Sequence, residues 1–248
     1  MLGIIGGSGL SQLEGVEGAR RRVVRTPYGR PSGALVVGTL RGQKVVFLQR
    51  HGPGHTIPPH EVNYRANIWA LHAQKAKNVV AIAAVGGIRR DLGPGAFAVP
   101  DQIIDYTHGR ASTYHTRGGG PVTHIDFTRP YCEAMRQRLL RAARAAGVAV
   151  AAEATYAATQ GPRLETAAEI GRLERDGAHL VGMTGMPEAA LARELGVCYA
   201  ALAIVVNHAA GRGAAEREIR PAELRVVAER AAGRVRAILE QLVIIDGD

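Results

Sequence analysis

The sequence predicts an α/β protein: a single domain in which a β-sheet is covered by helices on both faces. Three observations carry that expectation. Short apolar runs rich in β-branched residues alternate with helical patterns along all 248 residues. No internal repeat, low-complexity linker or charge block divides the chain, so one domain over residues 1–248 is expected. Several strand-like runs end in small or polar clusters, GGSG, RHGPGH, AVGG, TQGPR, GMTGMP and VVNHAAG. Loops beyond strand ends are where such folds gather reactive groups.

The elements follow in order. LGIIGG reads as a buried strand entering a glycine turn, and ALVVGTLRGQKVVFL as a hairpin turning near Arg41-Gly42. Residues 63–73 read as a helix, NVVAIAAVGGI as a strand ending in glycines, and 97–104 as one further strand. Residues 131–146 read as a helix stopped by Gly147. A strand over 148–156, a helix over 166–175 and a short strand at HLVGM come next. Pro187 suits a helix start and Gly196 its end. VCYAALAIVVN reads as the most deeply buried strand, and 221–242 as a long final helix.

Composition narrows the class. The longest apolar runs fall short of the roughly 20 residues that span a bilayer. MLGIIGGSGL has no basic region ahead of its apolar stretch and does not read as a signal peptide. Cys132 and Cys198 lack any C-x-x-C spacing, so reduced thiols and a cytoplasmic location are expected. The net charge of +9 raises the possibility of nucleic-acid binding. The excess is mostly arginine spread along the chain, with Arg136, Arg138, Arg141 and Arg144 reading as a solvated helix face. Three phenylalanines and one tryptophan leave little for base-stacking platforms. Neither a nucleic-acid nor a membrane partner is expected.

The chemistry-bearing clusters admit more than one reading. After the first strand, GGSG can present backbone N–H groups and the Ser8 hydroxyl to an anion, or can be an ordinary turn. It is not the dinucleotide fingerprint, because Gln12 stands at the third glycine, and no G-K-[ST] follows it. LQRHGPGHTIPPH gathers Arg50, His51, His55 and His60 on a loop rich in proline and glycine. A metal site, an anion site and an idle loop compete there. A guanidinium fork suits tetrahedral oxyanions, whereas prolines interrupt the histidine spacing that a metal would require. TQGPRLET offers Arg163 and Glu165, GMTGMP offers Met183 and Thr184, and VVNHAAG ends its strand on Asn207, which both donates and accepts hydrogen bonds.

GIIGGSGL, RHGPGHTIPPHEVNYRANIWAL, TQGPRLETAAE and GMTGMPEAALARELGVCYA, in that order, resemble the methylthioadenosine and purine nucleoside phosphorylases of the trimeric type over nearly the whole chain. The resemblance implies a purine nucleoside phosphorylase-like fold, a single domain with a mixed sheet flanked by helices. It implies a homotrimer with no metal and no organic cofactor, in which inorganic phosphate is a co-substrate and a nucleoside the small-molecule partner. It assigns phosphate contacts to Ser8, Arg50, His51 and Thr184, with the backbone at Ala83 and Ala84 alongside. Met183 would pack under the ribose, Leu164 and Val181 would contact substrate, and His124 would reach a neighbouring subunit's site. His51 and Asn207 are the residues expected to act in catalysis.

Within the family, the methylthioadenosine enzymes place aspartates where this chain has Asn207 and Ala209. An aspartate suits the 6-amino group of adenine, whereas Asn207 can donate to O6 and accept from a protonated N7. Such pairing can discriminate by roughly 10⁴, so a 6-oxopurine is expected, with His208 beside the base. No histidine follows His208 to meet a 5′-hydroxyl, and REIRPAELRVV presents Ile219, Pro221 and Leu224. These three apolar residues suit a 5′-methylthio sugar, and VVNHAAG together with GPRLET, which carries Glu165 as a further specificity residue, resembles the bacterial members that cleave methylthioinosine. Inosine and guanosine are the alternative substrates, and methylthioadenosine is a more distant one. A metal-dependent hydrolase built on His51, His55 and His60, and a basic nucleic-acid-binding protein, are the readings from other classes.

Overall fold

The computed structural model describes residues 1–10, 12–116, 123–216 and 218–247. Its centre is a parallel core of three strands. β1 (Leu2–Gly6), β5 (Asn78–Gly87) and β10 (Cys198–His208) are almost wholly buried, which is why their sequences read as continuous apolar runs. β10 follows β5 from Cys198↔Asn78 to Val205↔Val85, then slips by one residue so that Asn207 faces Gly86. That bulge re-aims the end of the strand.

β1 lies on the opposite edge of β5, from Leu2↔Asn78 to Ile5↔Ala81. Beyond β1 come β4 (Gln43–Gln49), β3 (Leu35–Leu40) and β2 (Glu17–Arg22). The β3–β4 hairpin turns at Arg41-Gly42, both with positive φ, as foreseen. β2 escaped the sequence reading because all six of its residues are exposed and no apolar alternation marks it. Its run of arginines blunts an open sheet edge. At the far end of β5, β9 (Leu180–Gly182) pairs antiparallel with Gly86 and Gly87, and β8 (Thr155–Ala158) and β7 (Gln102–Asp105) continue the sheet. The sheet is therefore mixed.

Side-chain alternation sorts the core. Val79, Ala81, Ala83 and Val85 face α1 (Tyr64–Ala73) and α4 (Gly185–Glu194). Val80 and Ile82 face α2 (Glu133–Ala145) and α5 (Pro221–Gly247). α3 (Ala167–Arg175) closes a smaller cluster with Val181 and Ala209, starting from a full capping box between Thr166 and Glu169. Met186 is extended, so regular helix in α4 begins at Pro187 as expected.

Four expectations need correction. Residues 97–104 form two strands, β6 (Phe97–Ala98) on β10 and β7 on β8, separated at Pro100, which has no N–H for a ladder. The strand expected over 148–156 is confined to β8. Ala151 makes only a single bridge to Ala98, and Val148 and Val150 instead pack against the α2 and α5 side. Arg136 is not on a solvated face. It is buried, with Nε donating to the Pro100 carbonyl at 3.0 Å and Nη2 to the Ala152 carbonyl. Finally, Cys132 and Cys198 are joined in a disulfide. Cys132 caps α2, and its N–H bonds the Tyr199 carbonyl at 2.8 Å, bringing the two Cα atoms to 5.1 Å. Sequence spacing gave no sign of this, because the juxtaposition arises from packing α2 beside β10.

Among the described residues no helix is long and apolar enough to cross a membrane. The disulfide closes a loop of 66 residues, for which chain entropy allows up to about 4 kcal/mol. Reduction, or Cys198→Ala, is expected to lower stability by ~2–4 kcal/mol, read as a shift in the urea midpoint with and without reductant.

Candidate active site

The glycine loop after β1 is shaped by close approach. A Cβ on Gly6 would stand 2.3 Å from the Leu10 carbonyl oxygen, and one on Gly7 would stand 2.4 Å from that of Ile82. Only glycine lets the backbone pass there. The Arg50 N–H donates to the Gly6 carbonyl at 2.9 Å, tying the loop after β4 to the loop after β1. Ser8 is thereby held with Oγ 3.4 Å from His55 Nε2.

Arg50 is 1% exposed. Its Nε and Nη2 donate to the two carboxylate oxygens of Glu188 at 2.7 and 2.9 Å, and Nη1 donates to the Ile82 carbonyl at 2.9 Å. Glu188, from the first turn of α4, is 0% exposed and also accepts from the Tyr199 hydroxyl at 2.8 Å. Desolvation alone would lower the Arg50 pKa, but the Glu188 charge and hydrogen bonds overcome it and raise the value above normal. Arg50 is thus a clamped cation: three of its five N–H groups are committed, and one on each terminal nitrogen is left over.

His51 is 8% exposed, with Nδ1 2.8 Å from the Ile57 carbonyl. A carbonyl only accepts, so Nδ1 carries the proton and Nε2 keeps its lone pair. Burial, reinforced by the neighbouring Arg50 charge, lowers the His51 pKa to about 4. The same two causes lower that of His55, whose ring centroid lies 4.4 Å from that of His51. His60 turns toward Glu61 at 3.6 Å. Among the described residues no three His, Cys, Asp or Glu side chains converge on a point that could hold a metal ion.

A gap in the sheet lies against this loop. β1 leaves β5 after Ala81, and β9 joins only at Gly86. Ile82 turns its carbonyl into the gap, and by strand alternation Ala84 turns its N–H toward the same edge. Ala83 points its side chain to the α1–α4 face. Thr184 stands at the N-cap position of α4 with no side-chain capping bond, buried, with its N–H 3.4 Å from the Tyr156 hydroxyl. Met183 has its sulfur against Gly161, where a built Cβ would stand 2.4 Å away.

A cleft of about 450 Å³ opens beside Gly161, with Thr159, Gln160, Arg163 and Glu165 in its walls. Glu165 Oε1 accepts from the Thr159 hydroxyl at 2.6 Å, while Arg163 is drawn off to Glu169. Asn207 stands just past the β10 bulge, half-buried. Its Nδ2 donates to the His208 carbonyl at 2.6 Å, leaving Oδ1 and one N–H. The loop beyond it meets α3, where a Cβ on Gly211 would stand 2.7 Å from that of Ala167.

Other expected residues lie farther from this constellation. His208 is packed against Gly93 and Gly213, on the opposite side of the strand from Asn207. Ala209 and Val181 are buried in the α3 cluster, and Leu164 is 38% exposed. Leu224 is partly buried one turn before Ala228, which packs on Gly9 of the glycine loop. Ile219 is half-buried, while the side chain of Pro221 lies outside the described residues. His124 is exposed on its own chain.

The sequence reading missed Glu188, Tyr199 and Arg110. Arg110 donates to the carbonyls of Gln160, Met183 and Met186 at 2.6–2.8 Å, locking two of the site's loops together. A carboxylate inside the apolar stretch PEAAL was the one available sign for Glu188. Its partner is 138 residues away, and nothing local announces it.

The whole chain, not only the site, matches known proteins. Residues 1–244 fit the family model described as "Phosphorylase superfamily". A probable S-methyl-5′-thioinosine phosphorylase of Pseudomonas syringae pv. tomato is 52% identical over 240 residues, covering 97% of each chain. A 6-oxopurine nucleoside phosphorylase of Pyrococcus furiosus is 46% identical over 215 residues, 85% of this chain and 80% of that one. Among solved structures, the methylthioadenosine phosphorylase of Schistosoma mansoni in complex with adenine superimposes with a TM-score of 0.94 at 35% identity, covering 99% of this chain and 91% of the other. The protein belongs to the phosphorylase superfamily. The fold foreseen from its motifs is the one found.

The His51 environment yields a pH dependence. An imidazole whose pKa falls from about 6.5 to about 4 on folding binds its proton more readily in the unfolded chain. Its neutral form therefore supports the fold above pH ~6.5, and that support is lost as the pH falls toward 4, by about 3 kcal/mol in all. Urea unfolding of the protein and of His51→Asn across this window is expected to differ by that slope, parallel curves being the contrary result.

Proposed function

We propose that the protein cleaves S-methyl-5′-thioinosine with inorganic phosphate, releasing hypoxanthine and 5-methylthioribose 1-phosphate in purine salvage. Membership of the superfamily supplies the reaction class, phosphorolysis by a pentosyltransferase. The observation that carries the choice of base is Asn207, with both a donor and an acceptor left over at the end of β10. Several relatives about as similar as the Pseudomonas protein carry the methylthioinosine name.

Phosphate sits in the sheet gap, among the Ser8 hydroxyl, the Ala84 N–H, Thr184 and the remaining N–H groups of Arg50. His51 Nε2, lacking a proton, accepts from a protonated phosphate oxygen or a sugar hydroxyl. Cleavage passes through an oxocarbenium-like sugar, stabilised by the adjacent anion. The protein's task is to hold the nucleophile in line with the anomeric carbon. Asn207 meets O6 and the N7 proton as the purine leaves. The Glu165 carboxylate matches the N1–H of a 6-oxopurine and opposes the bare N1 of adenine. The apolar Leu224, partly buried one turn before the Ala228 that packs on Gly9, suits a methylthio group. The reaction uses no metal and no organic cofactor. The working form is a homotrimer in which His124 contributes to a neighbouring site.

Phosphate-dependent base release from methylthioinosine, inosine, methylthioadenosine and adenosine tests the reading. Methylthioinosine is expected to lead by at least about tenfold in kcat/KM; a lead for inosine would move the assignment to 6-oxopurine nucleosides, and one for methylthioadenosine would overturn it. Asn207→Asp is expected to cost ~10²-fold or more in 6-oxopurine turnover, measured with the same four substrates. His124→Ala is expected to lower turnover without changing the mass of the assembly, read by kinetics beside light scattering.

A further inference from the structure

The Arg50–Glu188 pair is more than a support for a loop. A binding site that merely captured an anion would present an arginine with its charge uncompensated. Here a fully buried carboxylate takes the guanidinium bidentately, and the Tyr199 hydroxyl fixes that carboxylate from behind. The pair carries no net charge. The other cation near this face, Arg110, keeps its charge but turns its terminal nitrogens to the carbonyls of Gln160, Met183 and Met186, not to the sheet gap. His51, with its one proton on Nδ1, adds none. What remains toward the sheet gap is a set of N–H and hydroxyl dipoles.

We infer that Glu188 is a positioning residue that neutralises Arg50, so that bound phosphate is oriented by hydrogen bonds and keeps its own negative charge for the cationic sugar. This rests on the phosphate-site reading above. An uncompensated Arg50 would hold the ground-state anion more tightly and withdraw the charge that the transition state uses, which lowers kcat while tightening binding.

The experiment is Glu188→Gln, which keeps the shape of the carboxylate and removes its charge. Expected are a phosphate KM lowered roughly fivefold and a kcat lowered roughly tenfold or more. A raised or unchanged phosphate KM would make Glu188 a structural strut and overturn the inference. Because the substitution leaves a buried cation unpaired, Tyr199→Phe is the second variant. Losing the hydroxyl leaves the carboxylate charge less shared and Arg50 more fully screened, so phosphate KM is expected to rise about twofold to threefold, and a fall overturns the inference. Calorimetric titration of inorganic phosphate into the unmodified protein and Glu188→Gln separates this inference from the substrate assignment. Tighter binding by the variant supports the charge argument even if none of the four nucleosides is cleaved. Absence of phosphate binding by the unmodified protein would remove both the site and the inference.

Discussion

The buried pair between Arg50 and Glu188 is the constraint on which the site depends. Its members come from the loop after β4 and the first turn of α4, and it is braced by Ile82 of β5 and Tyr199 of β10. Four elements are thereby held in mutual register around one guanidinium. Removing either charge would leave the other buried and unpaired, a loss of roughly 3–5 kcal/mol. The pair therefore acts as a condition of assembly for the walls around the sheet gap.

The gap itself is a consequence of strand geometry. β5 is too long for β1, which leaves after Ala81, and β9 does not arrive until Gly86. Backbone groups that a complete sheet would consume are left for other partners, as the Ile82 carbonyl is taken by Arg50. The bulge near the end of β10 then brings Asn207 opposite Gly86, at the same level as β9 and the loop carrying Met183 and Thr184. The groups proposed to meet phosphate and base so come from neighbouring strand ends, as an α/β sheet arranges them. Arg110 fastens the outer wall by its bonds to the carbonyls of Gln160, Met183 and Met186.

The electrostatic design is one of restraint in a chain of net charge +9. Excess arginine lies elsewhere, on the β2 edge and on exposed helix surfaces, where solvent screens it. At the sheet gap the single clamped guanidinium is balanced and the histidine beside it is held neutral near pH 7. Composition alone suggests an electropositive protein; the arrangement of charge around the gap does not follow from it.

The sequence by itself determined the α/β class, the core strands and most of the helices, because burial writes itself as apolar runs of period 2 or 3.6. It also marked the loops that meet at the site, since GGSG, RHGPGH, GMTGMP and VVNHAAG carry glycines and polar groups at strand ends. Only the tertiary structure decided which side chains pair. Glu188 with Arg50, Cys132 with Cys198 and Arg110 with its carbonyls are contacts across long sequence separations, and neither partner has a local signature. The exposed strand β2 and the break at Pro100 likewise depend on neighbours, not on hydrophobic pattern. Periodicity reports how much of a residue is buried; it says nothing of what the residue is buried against, and at this site the second question decides the chemistry.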